Sequence, residues 1–304
     1  MNQIRIATRK SRLALWQSEH VADKLRKVHP SLEVELLPMS TRGDEVLDRS
    51  LAEIGGKGLF LKELEKALLD NSADIAVHSL KDVPAQSPDG LMLAAVLPRA
   101  GWADLWLSRD GSLPDEMPAG SRVGTSSLRR QSQLLRRFPE LQVEPVRGNV
   151  ETRLEKMRSG QVAAVILAAA GIDRLGITVD HRSELLPPDF LPAPGQGVIV
   201  IQCREDDHVT RERVRPLHCA QTGAQVEAER GVVAELGGDC RMPLAALAEI
   251  EQGRLRLRAR LASPDGRDCL DVDIEGPLES AGLLGNRAGR ELLDQGGMRI
   301  LSQL

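Results

Sequence analysis

ADIAVHSL, residues 73–80, decides the fold. It is a short apolar run of the kind that forms a strand buried on both faces, and the polar turn HSLKDVP (78–84) closes it. Upstream, QIRIAT (3–8) reads as a strand, and Ser11 to Val28 has helical spacing through Leu13, Trp16, His20 and Leu25. LEVELLPM (32–39) is a second strand. Gly-rich EIGGKGLF (53–60) leads into an amphipathic helix from Leu59 to Leu69, and LMLAAVL (91–97) is a further apolar strand. Strand and helix alternate, so the reading is βαβ units and a largely parallel sheet.

The pattern restarts downstream. SRVGTSS (121–127) is a strand opening onto a helix from Leu128 to Phe138, and LQVEPVR (141–147) is a strand. A helix from Val150 to Arg158 precedes the apolar AAVILAAAG (163–171). Pro-rich LLPPDFLPAPGQG (185–197) marks a crossing, and VIVIQC (198–203) follows as a strand. The expectation is two similar α/β lobes, with the chain returning from the second to the first. Domain one takes residues 1–98 and 198–216, and domain two takes residues 99–197. After about Pro216 a helix from Gln225 to Leu236 leads to LGGDCRMP (236–243). The alternating strands ALAEIEQ, RLRLRARLASPDG and CLDVDIEG and a helix from Glu279 to Gln295 complete a small α+β domain three, residues 217–304.

Composition excludes several classes. The 304 residues carry a net charge of −4 and only 2% aromatics with no Tyr, against a general nucleic-acid surface. No apolar run reaches a membrane span, and MNQIRIATRKS lacks the apolar core of a secretory signal, so the expected location is the cytoplasm. The cysteines, Cys203, Cys219, Cys240 and Cys269, have no metal-ligand spacing, so no metal is expected. Basic residues comprise 8 Lys against 32 Arg, an excess that codon usage explains in large part; where the arginines cluster is the informative question.

HSLKDVP places His78, Ser79, Lys81 and Asp82 where α/β folds put their sites, at the carboxyl end of a parallel strand. A solvated turn has much the same composition; Asp82 is the member that could protonate a leaving group or stabilise a cation. GTSSLRRQ (124–131) is a strand-to-helix junction in which Gly124 permits a tight turn, Thr125, Ser126 and Ser127 bring hydroxyls, and the helix start brings free N–H groups. Arg129 and Arg130 stand in the first turn, where the helix dipole disfavours cations, which favours a bound anion over a Ser cap with two surface arginines. Arg9, Arg147, Arg153 and Arg174 stand at or near other strand ends. Guanidinium groups bind carboxylates bidentately, so the set implies a polycarboxylate ligand. Two readings stay open on these residues: a two-lobed binding protein that closes on a polyanion, and an enzyme in which Asp82 acts on one. Cys240 favours the enzyme.

RIATRKSRLALWQ, TRGD, GGKGLF, DIAVHSLKDVP, GTSSLRR, RGNVETR, LAAAGIDRLG, PAPGQG and GGDCRMP, in this order, resemble the hydroxymethylbilane synthase (porphobilinogen deaminase) family nearly end to end. The resemblance implies two periplasmic-binding-protein-like α/β lobes with mostly parallel sheets and a small C-terminal domain with a three-stranded antiparallel sheet. It implies head-to-tail joining of four porphobilinogen molecules with release of ammonia, primed on a dipyrromethane held by a thioether. The anchoring thiol matches Cys240, and the catalytic carboxylate, which assists amine loss and stabilises the azafulvene, matches Asp82. Cofactor contacts match Lys81, Asp82, Thr125, Ser127, Arg129, Arg130 and Arg147. Substrate contacts match Arg9, Ser11, Gln17, Lys57, Phe60, Ser79, Arg153 and Arg174. The family is monomeric and cytoplasmic and hands its product to uroporphyrinogen-III synthase; the crossings near 98–104 and 192–197 look like its hinges.

The chain departs from the family pattern in places. Asp239 precedes the anchoring cysteine, where a carboxylate raises a thiol's pKa and repels the cofactor's own carboxylates, with Arg241 placed to offset it. Gln202 and Gln221 stand where Glu is usual, Glu53 replaces a frequent Lys, and RAGWAD (99–104) replaces an R-x-D-P-R-D pattern. The competing expectation is a divergent paralogue that binds pyrroles or another polycarboxylate without turnover.

Overall fold

The computed structural model describes residues 2–41, 61–238 and 242–304. The chain divides into two compact units, one of residues 1–100 and 198–223, the other of residues 101–197 and 224–304.

Among the described residues, the strands of the first unit form a five-stranded sheet. Its strands are β1 (Gln3–Arg9), β2 (Glu33–Met39), β3 (Ile75–Ser79) and β4 (Leu91–Val96), joined much later in the chain by β10 (Ile199–Arg204). The order is β2-β1-β3-β10-β4, with β1 parallel to β2 and β3, and β10 antiparallel to both its neighbours. Helix α1 (Arg12–Val28) forms because Ser11 caps it, its Oγ accepting from Ala14 N at 3.3 Å, and because Ala14, Gln17, Ser18, Val21, Ala22 and Leu25 make one buried stripe. Arg26 and Lys27 in the last turn suit the helix dipole. Ile4, Ile6, Ile75, Val77, Ile199 and Ile201 pack with Val21 and Leu25 on one face of the sheet. Ala7 and Ala76 turn to the other face, against α2 (Lys62–Leu69). The helix expected from Leu59 is thus described from Lys62 onward.

Among the described residues, the strands of the second unit form two sheets. One contains β5 (Asp104–Ser108), β6 (Arg122–Gly124), β7 (Gln142–Glu144), β8 (Ala164–Ala168) and β9 (Ser183–Leu185), in the order β7-β6-β8-β5-β9. Here β6 is parallel to β7 and β8, and β5 runs antiparallel between β8 and β9. This is the topology of the first sheet repeated: the strand that follows each crossing, β5 or β10, inserts antiparallel beside the last strand of its sheet. Alternate residues of one strand serve opposite cores. Leu105, Leu107, Val165 and Leu167 face one cluster, while Trp106, Ala164 and Ile166 face the other. Helices α3 (Leu128–Arg137), α4 (Val150–Arg158) and α5 (Ala169–Arg174) follow β6, β7 and β8.

Two strands of this sheet, β5 and β9, are absent from the sequence expectation. DLWLS is buried at all five positions, so it shows no polar alternation, and it directly follows a segment read as a crossing. The helix expected from Gln225 begins five residues earlier. After the short α6 (His208–Val214), helix α7 runs from Ala220 to Glu235, and Gly223 inside it costs about 1 kcal/mol against Ala without breaking it.

The C-terminal sheet is the antiparallel meander β11 (Leu244–Glu251), β12 (Arg254–Ala262) and β13 (Cys269–Pro277). On β12, Leu255, Leu257, Ala259 and Leu261 face a core with Ala228 and Val232 of α7 and with Leu284, Ala288 and Leu292 of α8 (Ala281–Asp294). Arg254, Arg256, Arg258 and Arg260 point the other way, toward Glu275, Asp273, Glu249 and Asp271 on neighbouring strands. The chain ends in α9 (Gly297–Leu301). Among the described residues no helix is long and apolar enough to cross a membrane.

Candidate functional site

In the first sheet β1 and β3 are neighbours, and the chain leaves β1 for β2 on the far side. Their carboxyl ends therefore flank a switch point, the position where α/β sheets admit ligands. Arg9 ends β1, Ser11 caps α1, Ser79 ends β3, and Lys81 and Asp82 lie in the single 3-10 turn Leu80–Asp82 that follows. The turn is fixed by Leu80 N donating to Val198 O at 3.0 Å and Val83 N donating to Leu80 O at 2.9 Å. Buried Gln17 donates through Nε2 to Ser79 Oγ at 2.8 Å, which ties α1 to the end of β3. Asp82 is exposed and Lys81 half-buried. Behind them His78 is buried, 3.0 Å from Gln202 Oε1, and burial, with Arg9 adding to it against the Gln202 hydrogen bond, lowers its pKa to about 4. The imidazole is therefore neutral at pH 7.

In the second unit the end of β6 is tight. A Cβ on Gly124 would stand 2.6 Å from Val146 Cγ2, so only glycine lets the strand pass there. Thr125 N donates to Glu144 O, Ser126 Oγ donates to Val146 O, and Ser127 N donates to Thr125 Oγ1. Ser127 is the N-cap of α3, its Oγ accepting from Arg130 N. The cap of the simpler reading is thus present, but its two surface arginines are not. Arg129 and Arg130 are 4% and 6% exposed, and both bond Asp104, the first residue of β5. Arg129 Nη1 donates to Asp104 Oδ2 at 2.7 Å and to Leu191 O at 2.7 Å. Arg130 donates to Asp104 Oδ1 through Nε at 3.1 Å and Nη2 at 2.7 Å, and to Ile166 O through Nη1 at 2.9 Å. Burial would raise the Asp104 pKa, but the two guanidiniums overcome it and hold the carboxyl well below the usual carboxylate range.

The other arginines of this unit sit at the same edge. Arg147 follows β7, half-buried. Arg153 on α4 turns back, its Nε donating to Gly148 O at 2.9 Å. Arg174, at the end of α5 after β8, donates from Nη2 to Gly197 O at 2.7 Å, and burial lowers its pKa to about 10. Thr125, Ser127, Arg129, Arg130, Arg147, Arg153 and Arg174 all follow the carboxyl ends of β6, β7 and β8, while Arg9, Ser11, Gln17, Ser79, Lys81 and Asp82 gather at those of β1 and β3. Cys240, Lys57 and Phe60 lie outside the described residues, as do Glu53, Asp239 and Arg241. Gln221 is exposed on α7.

Three buried residues join this edge without having been singled out from the sequence. Asp104 is one. Gln196 is another, its Nε2 donating to Trp102 O at 2.8 Å and to Asp104 Oδ1 at 2.9 Å. Glu229 on α7 accepts from Gly195 N at 2.6 Å and from Ala248 N at 2.8 Å, which fastens the GQG crossing to β11. The signal for Asp104 was the arginine pair itself: two adjacent cations on a buried helix face require a carboxylate, and RAGWAD keeps one at its last position.

The family model described as "Porphobilinogen deaminase, dipyromethane cofactor binding domain" matches residues 4–212, and "Porphobilinogen deaminase, C-terminal domain" matches residues 224–294. The porphobilinogen deaminase of Bordetella parapertussis is 51% identical over 305 residues, spanning 100% of this chain and 97% of the relative. That of Chromobacterium violaceum is 48% identical over 302 residues, 99% and 98% respectively. Among solved structures, the periplasmic VFT2 domain of Bordetella pertussis BvgS aligns with a TM-score of 0.45 at 15% identity, over 70% of this chain and 86% of that one. With the family model covering most of its length and full-length relatives at about half identity, the chain belongs to the porphobilinogen deaminase family.

Proposed function

We propose that this chain is a hydroxymethylbilane synthase in which Asp82 is the catalytic carboxylate and Cys240 carries the dipyrromethane primer. The reaction joins four porphobilinogen molecules head to tail with loss of ammonia, in tetrapyrrole biosynthesis. One observation carries the reading. A carboxylate and a lysine on a fixed turn follow β3, and Arg9 ends the neighbouring strand β1, at a strand switch point in a chain of this family.

The donor set fits the ligand. Each pyrrole bears an acetate and a propionate, and apart from Asp82 and Gln17 the strand-end residues are cationic or hydroxylic. Charge-assisted bonds of this kind contribute roughly 1.5–3 kcal/mol each. When bound, the dipyrromethane supplies the terminal pyrrole carbon to which the first substrate is joined. Asp82 faces the substrate's aminomethyl group, holds a proton at its nitrogen and, as ammonia leaves, stabilises positive charge on the methylene carbon. Lys81 and Arg9 hold carboxylates nearby. Arg147, Arg153 and Arg174 hold those of the growing chain, with Thr125 and Ser127 as hydroxyl donors. Residues 1–98 with 198–216, residues 99–197 and residues 217–304 act as three domains of a cytoplasmic monomer that passes its product to uroporphyrinogen-III synthase.

Intact mass before and after porphobilinogen tests this. The expected result is a chain heavier than the polypeptide by one dipyrromethane, growing in pyrrole-sized steps. Asp82→Ala should keep the adduct and lose ammonia release; near-normal release would remove Asp82 from the mechanism. Cys240→Ser should carry no adduct, and one found on Cys203 would overturn the anchor. A bare mass that substrate cannot change would instead favour the non-catalytic paralogue.

A further inference from the structure

Two adjacent arginines buried in the first turn of a helix are an unfavourable arrangement by themselves. The helix dipole opposes them, they repel each other, and each loses hydration. Arg129 and Arg130 are nevertheless 4% and 6% exposed, so something specific holds them. Asp104 is 3% exposed and divides its oxygens between them, Oδ2 to Arg129 and Oδ1 to both Nε and Nη2 of Arg130. Gln196 adds a third donor to Oδ1. The carbonyls of Leu191 and Ile166 fix each guanidinium from a second side. The planes of both groups are thereby set by bonds from β5, β8 and the return crossing. Arg129 commits only Nη1 to these partners, while Arg130 commits all three nitrogens. The cluster has one net positive charge, not two.

We infer that Asp104 is a positioning residue for the reaction: it orients Arg129 and Arg130 toward the carboxylates of the polypyrrole chain. The inference rests on the proposed function, with Arg129 and Arg130 as the cofactor contacts that the family resemblance implies. It also opposes a simple alternative. Were Asp104 only a competing counter-ion, removing it would strengthen binding of an anionic ligand. As an orienting group, its removal weakens binding, because two mutually repelling guanidiniums lose the geometry that bidentate recognition needs.

Three full-length variants decide between these: Asp104→Asn, Asp104→Glu and Arg130→Gln. For each, intact mass gives the fraction of purified chain carrying dipyrromethane, thermal melting gives stability, and steady-state kinetics gives KM and kcat for porphobilinogen. Asp104→Glu keeps the charge balance of the cluster but advances the carboxylate by one methylene. The expected result for both Asp104 variants is at least a tenfold fall in the ratio of loaded to bare chain, and at least a tenfold rise in KM in the loaded remainder. In Asp104→Glu this should occur with a melting midpoint near wild type, which a merely structural role would not produce. If Asp104→Asn does not fold, Asp104→Glu alone decides the matter. Wild-type loading and KM in Asp104→Glu, or tighter binding in Asp104→Asn, overturns the positioning role while Arg130→Gln remains impaired. Unimpaired loading in Arg130→Gln overturns the cofactor contact itself, and the positioning role with it.

Discussion

His78 shows how a single buried group sets a pH limit on the fold. Its imidazole is neutral because burial opposes the charge, and its pKa near 4 lies below the ordinary value of about 6.5. The unfolded chain therefore binds more protons between these values, so stability is complete above about pH 6.5 and falls as pH drops toward 4. From pH 7 to pH 5 the loss attributable to His78 is on the order of 2 kcal/mol. Glu65, whose carboxyl pKa burial raises while the Gln202 amide bonded to it at 3.4 Å opposes the rise, contributes in the opposite sense, so the comparison must retain it. The urea midpoint of His78→Gln should change less between pH 7 and pH 5 than that of the wild type; equal slopes would show that His78 is not the group. The same residues explain what was readable at this scale. A buried strand running into Lys81 and Asp82 is a local pattern, and the sequence displays it. The partner of Arg129 is 25 residues away and reaches it only because β5 inserts into the sheet, which no local pattern encodes.

Helix α3 presents an unusual buried face, with Arg129, Arg130, Ser132, Gln133 and Leu134. The β12–β13 turn meets it at Gln131, whose Nε2 donates to Pro264 O at 3.1 Å, and Arg260 of β12 reaches Gln133 Oε1 while also donating to Asp189 O and Pro188 O of the crossing. Gly266 sits against the helix at φ +74, where a Cβ would stand 2.5 Å from Arg136 N and closer still to Ser132 O. Gly266→Ala therefore meets both strain and a backbone clash, and a destabilisation of about 1–3 kcal/mol is expected from urea unfolding. By contrast, Leu257→Ala in the C-terminal core should cost about 2–5 kcal/mol through the cavity it leaves. The sequence announced the start of α3 through Ser127 and its end at Phe138. It pointed to an anion beside Arg129 and Arg130 but not to Asp104, and it concealed the burial of Ser132 and Gln133, because the strands that cover that face lie far along the chain. It concealed β5 for a different reason: DLWLS offers only three apolar residues between polar ends and begins inside a segment read as a crossing, too short a run to stand out.

At the scale of the molecule the repeated order, β2-β1-β3-β10-β4 and β7-β6-β8-β5-β9, was legible in part. The restart of the strand-helix pattern near Ser121 and the apolar VIVIQC after the Pro-rich crossing both stand in the sequence as two lobes and a return. The antiparallel direction of β5 and β10 does not, since direction depends on the path of the chain between strands. The outer face of the C-terminal sheet, with arginines on β12 between acidic residues on β11 and β13, is legible as a half-exposed antiparallel pattern. A chain truncated after residue 197 lacks β10, which pairs with both β3 and β4. Such a fragment should show exchange-unprotected amides throughout β1 to β4 while β5 to β9 remain protected. Protection in β1 to β4 without β10 would count against the pairing.

That placement of β10 has a consequence for how the protein is made. Its two neighbours emerge from the ribosome early, but about a hundred codons separate the end of β4 from the strand that joins them. At ordinary elongation rates this leaves the facing edges of β3 and β4 unpaired for roughly 5–20 s. The sheet interior exposed in that interval carries Ile75, Val77 and Ala95, the kind of open apolar edge that invites pairing with a neighbouring nascent chain. The sheet of β5 to β9 is encoded without interruption and closes first. The sheet of β1 to β4 is therefore finished after the sheet encoded inside it, and crowding of nascent chains on one message is the condition under which it is most exposed.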